Sequence, residues 1–175
     1  MNFNEVVIKR RSIRKFKDTP VDDARLLPIL EQMNLAPSAG NLQAFEVFVV
    51  RNAEHRRELA VAAFNQMFVA EAPVVLLFLA NPERSSATYG KLGEDFFCVQ
   101  DATIACAYAE LAVAAAGLSA CWVGAWDEAL VHRITGAPET WRTMALLAIG
   151  EADKAPDPQS RRPLGEVVHG EFVKG

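Results

Sequence analysis

One stretch constrains this chain more than any other. Between residues 102 and 116, eight of fifteen residues are alanine, the strongest helix former. A helix over Asp95–Ala116 carries apolar side chains around nearly its whole circumference, and Gly117 is a natural stop. Its length invites a membrane-spanning reading. Asp95, Gln100, Asp101 and Glu110 argue against it, because charges are costly in hydrocarbon. A helix apolar on every side calls for burial on every side, and a chain of 175 residues has little interior to surround it. The helix therefore points to a second copy of the chain packed on one face, where alanine permits close approach.

The length favours one domain, residues 1–175, and a hydrophobic content of 51% excludes wholesale disorder. Asn4 is positioned to cap a short helix to about Arg10. Asp22 or Asp23 caps a second helix toward Leu35, with Leu26, Leu27, Leu30 and Met33 on one face; Pro28 predicts a kink or a later start. Phe45–Val50 reads as a strand, Ala53–Phe64 as an amphipathic helix, and Val74–Leu79 as a strand buried on both faces. Residues 81–93 hold Pro, Ser and two Gly and read as a loop. A strand over Leu118–Trp126 ends at Gly124, a helix capped by Asp127 runs to Thr135, and Met144–Ile149 is a further strand. Glu151–Pro163 is an extended connector, and Leu164–Val173 a terminal element. Interleaved helices and strands give an α+β or α/β layered fold.

Charge is unevenly distributed. Residues 9–17 hold six of the 18 cationic residues and no acid, leaving 12 cations against 22 acids elsewhere. A long polyanion such as duplex DNA meets repulsion beyond so small an island, whereas one compact anion, such as a phosphate monoester, suits it. Three cysteines without a CxxC pair argue against a disulfide framework or structural zinc, and fit a reducing, cytoplasmic compartment. His55, His132 and His169 form no metal-ligand spacing, and the N-terminus has no signal-peptide pattern. GxGxxG, GxxxxGK[ST] and GxSxG are all missing. A chain poor in catalytic side chains suits chemistry borrowed from a cofactor.

Four segments could carry that chemistry. Arg10-Arg11-Ser12-Ile13-Arg14 offers guanidinium forks and a hydroxyl that match phosphate oxygens; it reads equally as a solvated basic segment or an RNA-binding arm. Ala36-Pro37-Ser38-Ala39-Gly40-Asn41-Leu42-Gln43 lets backbone approach a flat ligand, with Asn41 and Gln43 able to meet a heterocycle edge, or it is an ordinary turn. Ser119–Trp126 exposes backbone N–H groups around Gly124, or simply ends a strand. Arg161-Arg162-Pro163 supplies a second cationic site, or a solvated tail. Cys121 lacks a neighbouring base and reads as a small core residue.

Taken in order, RRSIRKF (10–16), APSAGNLQ (36–43), APVVLLF (72–78), QDATIACAYAELAVAAAGL (100–118), CWVGAW (121–126) and RRPLGEVVH (161–169) resemble the nitroreductase family of FMN-dependent oxidoreductases over nearly the whole chain. The resemblance implies an α+β fold: a central, mostly antiparallel sheet flanked by helices, in an intertwined homodimer with FMN at the interface. It implies that Arg10, Ser12 and Arg14 hold the phosphate, ribityl and pyrimidine parts of FMN, with Arg11 contributing through its backbone. Pro37, Ser38, Ala39 and Asn41 of the other subunit would pack beside the ring, with Gln43 supporting that loop. Val123, Gly124 and Ala125 would bring a backbone N–H to flavin N5, and Arg161 or Arg162 would close on the phosphate. Asn65 and Gln66 are further candidates for the pyrimidine edge.

The implied activity is two-step hydride transfer from NAD(P)H to a nitroaromatic, quinone or similar small acceptor, with ping-pong kinetics. Arg14 would stabilise negative charge at the pyrimidine. Rivals are another flavin reaction on the same scaffold (dehalogenation, dehydrogenation or flavin breakdown) and a non-catalytic module binding RNA or a phosphorylated ligand. Two departures stand out: Ala44-Phe45 replaces the Pro-Trp common in the family, and little sequence separates Leu79 from Asp95. The site is accordingly expected to be open, or capped by residues 81–94.

Overall fold

The computed structural model describes residues 1–170. Four strands form one sheet in the order β1-β2-β4-β3, every ladder antiparallel: β1 (Phe45–Val50), β2 (Val74–Ala80), β3 (Ser119–Val123) and β4 (Arg142–Gly150). β2 and β4 lie in the middle, and every residue of β2 is buried. That burial on both faces is why β2 reads as a continuous apolar run.

Helices cover both faces. On one, α2 (Asp23–Asn34) and α6 (Cys98–Ala115) pack on Val74, Leu76, Phe78, Leu147 and Ile149. On the other, α3 (Ala53–Ala62), α4 (Phe68–Glu71) and α7 (Glu128–Thr135) pack on Val75, Leu77, Leu79 and Leu146, joined by Ile13 and Phe16 of the basic segment. Each large side chain so buried contributes roughly 1.5–3 kcal/mol. α6 touches all four strands, and Ala102, Ala105, Ala109 and Ala112 form the buried face that permits this approach. The helical run from Pro82 to Ala115 is long and apolar enough to cross a membrane by composition, but this face packs on the sheet. The opposite face, with Gln100, Thr103 and Tyr108, is open in the single chain, as is Phe96 just before the helix.

Several local expectations change. The first helix, α1 (Phe3–Lys9), starts from Asn2 rather than Asn4, because Asn2 and Glu5 form a reciprocal capping box. α2 begins at Asp23, capped by Asp22, and continues through Pro28 as one helix, its apolar face buried by Leu26, Ile29 and Met33. Residues 81–93 are not a loop: α5 (Pro82–Leu92) occupies them, with Asn81 as N-cap and Pro82 opening the first turn. Gly90 breaks α5 near its end, and a π-helical turn over Gly93–Phe97 joins it to α6. α6 ends as expected, with Gly117 in the left-handed region at φ 73°. Of the terminal element, a 3-10 turn over Leu164–Glu166 is seen; residues 171–173 lie outside the described part.

Candidate functional site

The basic segment follows α1 and runs along the edge of the sheet. Ile13 N–H donates to the Ala120 carbonyl (2.9 Å), setting Ser12 beside β3. Two residues on, the chain leaving β4 returns to pair with it. Lys17 N–H donates to the Glu151 carbonyl (2.9 Å), and Asp153 N–H to the Lys15 carbonyl (3.0 Å). This short antiparallel pairing directs the exposed connector along the arginines. Ion pairs reinforce it: Lys15–Asp153 at 2.9 Å and Arg25–Glu151 at 2.8 Å. The Lys15 ammonium holds Asp153 below the usual carboxylate range, and the Arg25 hydrogen bond does the same for Glu151.

The result is a cleft of about 610 Å³, lined by Arg10, Arg11, Ser12 and Arg14 on one side and by Pro156–Gln159 and Arg161 on the other. Arginines 147 positions or more apart in sequence, Arg161 on one side and Arg10, Arg11 and Arg14 on the other, thus share one cavity. Arg161 lines it and Arg162 does not. Arg10 is bonded to Glu110 of α6 at 3.2 Å, with both side chains largely buried. Arg11 turns its guanidinium back to the carbonyls of Ile8 and Arg10. Arg14 lies over the Phe68 ring at 5.8 Å. Among the described residues neither Arg14 nor Arg161 has an ion-pair partner. Arg14 and Arg161 thus bring positive charge to one cleft, and a phosphate dianion matches guanidinium forks.

The 36–43 segment is a separate, tightly built turn. Gly40, Asn41 and Gln43 all sit at positive φ (56°, 56° and 50°). Ser38 Oγ accepts from Gln43 N–H (3.0 Å), and the Gln43 side chain donates to the Asn41 carbonyl (2.7 Å) and Oδ1 (3.1 Å), so Gln43 does brace the loop. Pro37 and Asn41 are exposed, and Ser38 and Ala39 half-buried. None of these residues lines the arginine cleft of its own chain. The segment favours glycine at position 40, where φ is 56° and a Cβ would come to 2.5 Å from the Tyr89 hydroxyl. α5 therefore covers the turn through Tyr89, and Arg84 Nε also donates to the Leu42 carbonyl.

Beyond β3, Val123 is buried while Gly124 and Ala125 are exposed, with open space where a Gly124 side chain would stand. Asn65 is exposed at φ 62°, next to Phe64 at φ 57°, a strained pair of the kind found at ligand sites. Gln66 is spent on the Ala63 carbonyl (3.0 Å). Burial raises the thiols of Cys106 and Cys121, as expected of inert core residues.

Two residues escaped the sequence reading. Asp101, fully buried, accepts from the Ala39 (2.9 Å) and Ala44 (3.2 Å) N–H groups and so straps both ends of the 39–44 turn to α6. Glu110 anchors Arg10. A lone acid on an apolar helix face is a signal in itself, since a buried carboxylate must find donors.

Comparison with known proteins follows this geometry. The family model for the nitroreductase family matches residues 7–73 and 62–151. An NADH dehydrogenase of Thermus thermophilus is 32% identical over 92% of both chains. An NADPH-flavin oxidoreductase of Vibrio harveyi is 29% identical, over 96% of this chain and 73% of its own length. The solved NADPH:FMN oxidoreductase of Vibrio harveyi, complexed with NAD+, superposes with a TM-score of 0.89 at 27% identity, covering 100% of this chain and 79% of that one. The family model spans most of the chain and the Thermus relative shares about a third of its residues over nearly all of it: the chain belongs to the nitroreductase family.

Proposed function

We propose that residues 1–175 form one FMN-binding domain of a cytoplasmic, homodimeric oxidoreductase that uses NAD(P)H to reduce nitroaromatics, quinones or similar small acceptors. The names of its relatives, NADH dehydrogenase and NADPH-flavin oxidoreductase, support the donor and the cofactor. The observation that carries the reading is the convergence of Arg10, Arg11, Ser12, Arg14 and Arg161 on one cleft. Its size lies within the range of small-molecule sites.

FMN, when bound, supplies a ring that accepts and returns hydride at N5. The chain's own residues do the rest. Arg10, Ser12 and Arg161 bind the phosphate and ribityl groups. The fixed charge of Arg14 favours negative charge on the pyrimidine side. Asn65 meets the pyrimidine edge. Gly124 and Ala125 offer backbone N–H groups at a point with no side chain in the way. Pro37, Ser38, Ala39 and Asn41 act on the site of the partner copy, held in shape by Gln43 and Asp101. Exposed apolar side chains on α1, on α6 and in the turn before α6, including Phe3, Ile8, Tyr108 and Phe96, give that copy a surface to cover.

Donor and acceptor take turns in the same cleft, so steady-state oxidation of NAD(P)H against a quinone should give parallel double-reciprocal lines. Intersecting lines contradict alternate occupancy. A protein that retains no flavin and shifts RNA in a salt-dependent way supports the binding-module reading instead.

A further inference from the structure

Glu128 is the first residue of α7, and its carboxylate is shared by three segments. Oε2 accepts from the Trp126 indole N–H at 2.5 Å. Oε1 accepts from the Thr143 backbone N–H at 2.6 Å and meets His132 Nε2 at 3.0 Å. Burial works against its charge, yet the Thr143, His132 and Trp126 donors outweigh it and hold the group below the usual carboxylate range.

The placement of these bonds matters more than their number. The β3–β4 ladder stops at Val123–Leu146. The chain then leaves the sheet, exposes Gly124 and Ala125, and returns at Glu128, which takes the N–H of Thr143 three residues further along β4. Asp127 N–H donates to the Ala62 carbonyl at 2.8 Å, fixing the same end to α3. Residues 124–127 are thus an arch pinned by the ladder at one foot and by Glu128 at the other, with Trp126 tied down inside it.

We infer that Glu128 is a positioning residue: by holding Trp126 and Thr143 together it fixes the direction in which the Gly124 and Ala125 N–H groups point. The inference rests on the flavin reading above for its consequence, because those are the groups proposed to meet N5. A carboxylate can accept from all three donors. A carboxamide at the same place presents N–H on one side, so at least one of the Trp126 and Thr143 bonds is lost.

The test uses Glu128→Gln and Trp126→Phe, the second keeping an aromatic ring and removing only the indole donor. Amide hydrogen exchange at Asp127 and Thr143, whose N–H groups donate to Ala62 and Glu128 at the foot of the arch, is measured on the flavin-free chain, and the midpoint potential of bound FMN on the loaded one. Each variant should speed exchange at these two amides about tenfold, the loss of one charge-assisted hydrogen bond. Each should also shift the potential in the same direction, and the double variant should exceed neither single one by much. Variants that fold, with exchange and potential like the parent, overturn the inference. Should Glu128→Gln fail to fold, Trp126→Phe decides alone. A parent chain that takes up no FMN sinks the flavin reading, while the exchange measurement still decides whether Glu128 pins the arch.

Discussion

Arg10 has one partner in the structure, Glu110 at 3.2 Å, and faces a cleft built for another. Removing Glu110 leaves a largely buried guanidinium without its carboxylate. Glu110→Ala should therefore destabilise the flavin-free chain by about 1.5–3 kcal/mol in urea unfolding. With saturating FMN the loss should shrink, because the phosphate offers Arg10 a replacement; an equal loss with and without FMN contradicts that role. Gly40 is constrained twice, by φ 56° and by the Tyr89 hydroxyl. Gly40→Ala should cost roughly 1–3 kcal/mol, and Tyr89→Phe in the same chain should recover part of it. No recovery contradicts the contact. At this scale the sequence made the arginines and Asn41-Leu42-Gln43 visible, because those residue types carry their chemistry with them. It concealed Asp101, which serves only through distant backbone N–H groups, and it left Arg161 and Arg162 equivalent, although only Arg161 lines the cleft.

At the scale of elements, strands were legible wherever burial was two-sided, as in β2, and the start of α7 was legible from Asp127. α5 was misread because Pro82, Ser85, Ser86 and Gly90 interrupt any helical pattern, although Asn81-Pro82 is a helix-start signal. The element that assembles the site, the pairing of residues 15–17 with 151–153, has no periodicity to read at three residues a side. Its ion pairs make it sensitive to pH. Asp153 and Glu151 have folded-state pKa values below their ordinary 3.8 and 4.5, so their stabilisation is complete above about pH 4.5 and lost as pH falls through the lowered values. Lys15 is raised above 10.5, so its contribution is complete below that and lost as pH rises through the raised value. Protection of the Lys17 and Asp153 amides, corrected for intrinsic exchange, should hold between these limits and fall on acidification below 4.5. Protection unchanged to pH 3 contradicts this.

For the whole molecule, the sheet between two helical layers follows from sequence pattern, whereas the covering of α6 does not follow from one chain. One face of α6 packs on the sheet; Tyr108 on the other, and Phe96 in the turn leading into the helix, are 41% and 51% exposed. Sedimentation should find a dimer, and Phe96→Asp should shift it toward monomer. A parent chain sedimenting at 19.2 kDa at micromolar concentration contradicts the second copy. The central claim is that distant arginines meet on one flavin phosphate, and equilibrium titration of the flavin-free protein with FMN tests it most directly. The account predicts saturable binding of one FMN per chain, weakened about tenfold to over a hundredfold by Arg10→Ala. No saturable binding, or binding undiminished in that variant, would contradict it.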